Sequence, residues 1–192
     1  MKETRDGVAV LGFVAASGTG KTTLMRKVIA ELSAGGLRVG CIKHTHHPFD
    51  IDQPGKDSHA LRSAGASQML LGSPRRWALI VEEPSADGDD LEALLGRLEL
   101  PRLDLVLVEG FKLGPYPKIE VQRAELAAAP LYPTLPSVIA LVTNQRPPPL
   151  VPMAVFDLDA AHTLAEFIRS HVARARLARR VDAGIESRDD LA

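Results

Sequence analysis

The sequence predicts an α/β fold, layered, with a mostly parallel central sheet flanked by helices. Three observations carry that expectation. Short aliphatic runs at residues 8–14, 103–108 and 137–142 read as strands buried on both faces. Between them lie segments with apolar residues at helical spacing, foremost residues 22–34 with Leu24, Met25, Val28, Ile29 and Leu32. A glycine-rich turn joins the first run directly to that helix.

The elements follow in order. Residues 8–14 form the first buried strand, and Gly35-Gly36 ends the helix after it. Residues 37–43 read as a second strand and 44–54 as a polar loop. A helix is expected over 56–64, stopped by Gly65, with Asp57 a candidate cap. Two short strands follow at 68–71 and 77–82, then a helix capped within 87–90 and ending near Leu98. After the strand at 103–108, the alternating residues 118–122 read as an edge strand. Residues 137–142 and 154–156 are further strands, and 160–174 a closing helix. The expected organisation is one domain over 1–174, with 175–192 a frayed helical or disordered tail.

Composition narrows the function classes. The 192 residues suffice for one substantial core. Net charge is -1, so no global basic field invites nucleic acid or a membrane surface, despite Arg174, Arg176, Arg179 and Arg180. Cys41 is the single cysteine, so no internal disulfide can form. No apolar run approaches the roughly 18 residues of a membrane span. The opening residues 1–7 are charged without a signal-type apolar stretch, and a cytoplasmic location is expected.

The most specific chemical signal is Ala15-Ala16-Ser17-Gly18-Thr19-Gly20-Lys21-Thr22. A strand, a loop ending Gly-Lys-Thr and a helix form the Walker A arrangement, which predicts a P-loop NTPase-like fold. Gly18 and Gly20 let successive N–H groups converge with the helix N-terminus on one phosphate. Lys21 supplies a positive charge, and the Thr22 hydroxyl would hold Mg2+. Ala15 departs from the motif's first glycine, so the backbone there must adopt an ordinary negative φ.

Other candidates surround this turn. Glu109, ending the strand at 103–108, suits a position near Mg2+, whereas Asp104 begins the same strand and should lie too far away. Gly110 would let the chain pass close to a ligand. His44, at a strand end, is a candidate phosphate or substrate contact. His44, His46 and His47 also raise the possibility of zinc, though a closed site wants four ligands. Asp50 and Asp52 are candidates to reach Mg2+ or to orient a water, and Arg62 to face an anion. Asn144 follows a late strand, where a base is often held, but no N-K-x-D pattern decides between GTP and ATP.

Together, Ser17-Gly18-Thr19-Gly20-Lys21-Thr22-Thr23-Leu24, Ile42-Lys43-His44-Thr45-His46-His47, Pro54-Gly55-Lys56-Asp57-Ser58 and Leu107-Val108-Glu109-Gly110-Phe111-Lys112 resemble the molybdopterin-guanine dinucleotide biosynthesis protein B family, MobB. Arg76-Trp77-Ala78-Leu79 is similar as well. The resemblance implies a homodimer that binds GTP with Mg2+, hydrolyses it weakly and assists a MobA-type molybdenum cofactor guanylyltransferase in joining GMP to molybdopterin. It implies Gly18, Gly20, Lys21 and Thr22 as the phosphate and Mg2+ residues and Glu109 and Gly110 as a second nucleotide-facing motif; Ser17, Thr19 and Thr23 complete the candidate nucleotide-binding loop. Hydrolysis would use Lys21 with water held by Asp50, Asp52 or Glu109. Competing readings are an ATP-dependent small-molecule kinase, with Arg75-Arg76 in a lid, a metallochaperone-type GTPase using the histidines, and an adaptor without nucleotide.

Overall fold

A computed structural model describes residues 2–45, 47, 49–82, 90–146 and 151–189, with side chains through residue 177. Its contacts divide the chain into two compact units, Met1–His44 with Asp90–Ala192, and Thr45–Asp89.

The larger unit is built on a seven-stranded sheet. The strands are β1 (Thr4–Arg5), β2 (Val8–Ala15), β3 (Val39–Lys43), β6 (Leu105–Glu109), β7 (Lys118–Gln122), β8 (Val138–Thr143) and β9 (Ala154–Phe156). Their order is β3-β6-β2-β7-β8-β9, all parallel, with β1 antiparallel to β2. The chain leaves β2 toward one edge and later returns past it to the other. The C-terminal end of β2 is therefore a topological switch point, where open α/β sheets bind ligands.

Alternation along β2 explains the continuous apolar run. Ala9, Leu11 and Phe13 join a core with Leu24, Val28 and Leu32 of α1 (Lys21–Ala34) and Leu164, Ile168 and Val172 of α4 (Ala161–Asp189). Val8 and Val10 face the opposite core, with Val106 and Val108 of β6 and Leu91 and Leu95 of α3 (Leu91–Gly96). Each such aliphatic side chain contributes about 1.5–3 kcal/mol by leaving water. Asp90 caps α3 by accepting from the Glu92 N–H at 3.2 Å, as expected; positions 87–89 lie outside the described residues.

Two expectations about this unit need correcting. Residues 118–122 are not an edge strand, because β7 lies between β2 and β8 and is buried from Lys118 to Val121. Its polar alternate positions face inward and find partners there. Lys118, 2% exposed, donates to the carbonyls of Gly114 and Tyr116 and to Ser137 Oγ. Its stem lies across Gly12, where a Cβ would come 3.1 Å from Lys118 Cγ. The closing helix also runs beyond residue 174, to Asp189.

The smaller unit holds α2 (Asp57–Ser63) and an antiparallel pair, β4 (Gln68–Gly72) with β5 (Trp77–Val81). Asp57 is the first residue of α2 rather than its cap; Lys56 takes the cap position without a side-chain bond. Arg75 and Arg76 belong to the hairpin turn, which Ser73 Oγ closes by donating to the Arg76 carbonyl at 2.9 Å. Among the described residues, no helix is long and apolar enough to cross a membrane.

Candidate phosphate and metal site

At the C-terminal end of β2 the backbone turns through Gly18 and Gly20, with φ of +79° and +83°. These left-handed conformations are open to glycine at little cost. Gly20 is also the N-cap of α1 and offers no side chain, so the first-turn N–H groups of a 14-residue helix point outward uncapped. Ala15 needs no such freedom. It is the last residue of β2, paired with Val121, and is not among the positive-φ residues. The motif's missing glycine thus costs nothing in backbone strain. Thr19 is buried, and its hydroxyl donates to the Ala16 carbonyl at 3.2 Å, which closes the turn.

The parallel register of β6 beside β2 pairs Glu109 with Phe13 and brings its carboxylate to the loop. Lys21 Nζ lies 3.0 Å from Glu109 Oε1, and the Thr22 hydroxyl donates to the same oxygen at 3.4 Å. Lys43 Nζ approaches the other oxygen at 3.9 Å. Residues 16–23 and Glu109 enclose a cavity of about 250 Å3, so Ser17, Gly18, Thr19, Gly20, Lys21, Thr22, Thr23 and Glu109 all line one space. Chemically this is an anion cradle of helix N–H groups with a mobile positive charge. Two hard oxygen donors, a hydroxyl and a carboxylate, stand beside it.

Gly110 sits at φ +111°, and a Cβ there would come 2.9 Å from His44 Cβ. The close neighbour that excludes a side chain is thus His44. The His44 N–H donates to the Glu109 carbonyl, and its ring packs on Phe111 at 4.4 Å between centroids. His46 lies outside the described residues. Among those described, no three His, Cys, Asp or Glu side chains converge as a metal site.

Asn144 follows β8. Its side chain accepts from the Ala124 N–H at 2.9 Å and donates to Glu125 at 2.9 and 3.0 Å, so it holds the short turn Ala124–Leu126. Sequence reasoning missed Arg123, just after β7, whose Nε donates to the Thr19 carbonyl at 3.1 Å and braces the glycine loop. A lone arginine after an alternating strand gave no signal of that contact.

Asp50 and Asp52 belong to the smaller unit, where both face Arg62. The guanidinium binds both Asp50 oxygens at 2.7 Å, lies 3.6 Å from Asp52 Oδ2 and donates to Glu82 at 2.5 Å. This pairing holds the Asp50 carboxyl below its usual range, the Arg62 hydrogen bond being the largest cause. Asp52 Oδ1 also accepts from Ser58 Oγ at 2.9 Å. The charged partners of Arg62 are thus these carboxylates.

The parallel sheet, its switch point and the glycine loop on α1 define a P-loop NTPase-like α/β protein. The family model for molybdopterin guanine dinucleotide synthesis protein B (MobB) matches residues 10–144, and the chain belongs to that family. It is 43% identical over 161 residues to the molybdopterin-guanine dinucleotide biosynthesis adapter protein of Escherichia coli K12, covering 84% of this chain and 91% of that protein. The Haemophilus influenzae adapter protein is 39% identical, with 85% and 89% covered. Among solved structures, a molybdopterin-guanine biosynthesis protein B superposes with a TM-score of 0.67 at 29% identity, covering 85% of this chain and 99% of that one.

Proposed function

We propose that this chain is an accessory protein of molybdenum cofactor biosynthesis that binds GTP with Mg2+. It acts beside a MobA-type guanylyltransferase as GMP is joined to molybdopterin. The observation that carries the nucleotide reading is the convergence of Lys21 and Thr22 on one oxygen of Glu109, at the open N-terminus of α1. Phosphates would take the loop N–H groups and draw the Lys21 ammonium. The Thr22 hydroxyl would hold Mg2+, with Glu109 beside it; the ion would neutralise phosphate charge. The accessory role is supported by the adapter names of the E. coli and H. influenzae relatives.

Hydrolysis would be weak. Arg62, the candidate transition-state cation, is engaged by carboxylates of its own unit. Such a cation accelerates related reactions by about 10³–10⁵. A cytoplasmic homodimer suits the chain. The β4–β5 pair exposes Leu70 (63%), Trp77 (60%) and Leu79 (47%), apolar surface that a second copy would cover.

Titration with fluorescent GTP and ATP analogues in Mg2+, alongside Lys21→Ala, tests this reading. Losing the charge-assisted phosphate contact should cost about 1.5–3 kcal/mol, roughly tenfold or more in affinity. Preferential GTP binding that Lys21→Ala weakens is the expected result. ATP preference would point to a kinase, and binding indifferent to Lys21→Ala would overturn the site.

A further inference from the structure

A second cavity, about 390 Å3, opens beside the phosphate loop, and Ala16 and Thr19 line both spaces. Its size falls in the range of small-molecule sites. One wall is the short-side-chain segment 127–130, Ala-Ala-Ala-Pro. Gln122, Gln145, Lys112 and Arg123 also line the cavity. Small apolar groups together with amides and cations suit a flat ring bearing hydrogen-bonding edges.

The wall is held by a buried acid. Glu120 is 1% exposed, and amide N–H groups satisfy its carboxylate. Its Oε1 accepts from the Leu131 N–H at 2.7 Å and from Gln122 Nε2 at 2.8 Å; Oε2 accepts from the Tyr132 N–H at 2.8 Å. The carboxylate therefore fixes the segment just after residue 130 and orients Gln122 in the same stroke. Arg123 stands at the junction. It donates to Thr19, and its Nη2 lies 3.1 Å from where a Gly20 Cβ would be. On the other side of the turn, Leu126 packs toward Gly18. The loop and this cavity thus share Ala16 and Thr19, and Arg123 both bonds to the loop and lines the cavity.

We infer that this cavity is the subsite for the ring system of the nucleotide whose phosphates occupy the loop. Glu120 is its positioning residue, acting through segment 127–132 and Gln122. The inference rests on the nucleotide reading above and adds where the ring lies and what shapes its wall. Asn144 contributes indirectly, by holding the turn at Ala124.

The test separates ring from phosphate. Calorimetry of the full chain in Mg2+ compares GTP with inorganic tripolyphosphate, which has no ring. Wild type should bind GTP about tenfold or more tightly than tripolyphosphate. Ala128→Leu puts bulk into the cavity, and Glu120→Gln turns an acceptor into a donor against a backbone N–H. Each should remove most of the GTP advantage and leave tripolyphosphate affinity unchanged. If Glu120→Gln weakens both ligands alike, its role is structural, and Glu120 as a positioning residue is overturned. The subsite itself then stands or falls on Ala128→Leu. A wild type with no preference for GTP over tripolyphosphate, or an Ala128→Leu protein that keeps the preference, overturns the subsite. Lys21→Ala keeps the two claims distinguishable. If it weakens both ligands while the cavity variants change nothing, only the subsite fails; if it weakens neither, the phosphate site fails with it.

Discussion

Glu109 and Glu120 lie on the two strands that flank β2, paired in register with Phe13 and Val14. Their surroundings differ in kind. Glu109 is 16% exposed and faces a lysine ammonium and a threonine hydroxyl at the mouth of a cavity. Glu120 is 1% exposed and is occupied by two main-chain N–H groups and one side-chain amide. An acid whose partners are movable side chains can exchange them for a phosphate and a metal ion. One whose partners are backbone amides cannot let go without unmaking the loop they belong to.

That contrast is most easily broken by truncation. Glu120→Ala strands three partly buried donors and should destabilise the fold by on the order of 3 kcal/mol, read by urea unfolding. Glu109→Gln should change stability by less than about 1 kcal/mol, because its ion pair is replaceable by water. Equal losses in the two variants would erase the distinction.

Asp104 supplies a third acid, at the opposite end of β6 from Glu109. It accepts from the Arg38 backbone N–H at 2.7 Å and from the Arg38 guanidinium at 2.9 and 3.1 Å, and Arg176 of α4 also binds it. These partners, Arg38 foremost, lower its carboxyl from 3.8 to about 2. A carboxyl depressed in the folded state stabilises the protein above its unfolded pKa. That stability is lost as pH falls from about 4 through about 2. Asp104→Asn should cost about 1.5–3 kcal/mol at neutral pH, and its gap from wild type should close across that acid window in a melting series.

Lys118 extends the comparison to a buried cation held by carbonyls. Burial lowers its pKa, a cost that its three hydrogen bonds offset. Lys118→Met, close in length and apolar, should therefore lose only about 1–2 kcal/mol, detectable as a fall in melting temperature.

The glycine loop, β2, α1 and the place of Glu109 at the end of its strand were legible in the sequence because their signals are local: an apolar run, glycines beside a lysine, an acid ending a strand. β7 was not. Lys-Ile-Glu-Val-Gln alternates as an edge strand does, and only partners distant in sequence make its polar residues acceptable inside. Lys118 finds them in the Gly114 and Tyr116 carbonyls and in Ser137, and Glu120 in the N–H groups of Leu131 and Tyr132. Main-chain partners leave no residue-type signature. Arg123 escaped notice for the same reason, since its partner is the Thr19 carbonyl. Asp50 and Asp52 read as water-positioning acids, but the sequence did not reveal that Arg62, one turn into a helix, would face both.

The central claim is that Glu109 stands beside a metal–phosphate site, and the metal dependence of GTP binding tests it most directly. GTP affinity measured by calorimetry with Mg2+ and with EDTA should fall about tenfold or more in wild type when the metal is removed, and change little in Glu109→Gln. An undiminished Mg2+ dependence in Glu109→Gln would contradict the account.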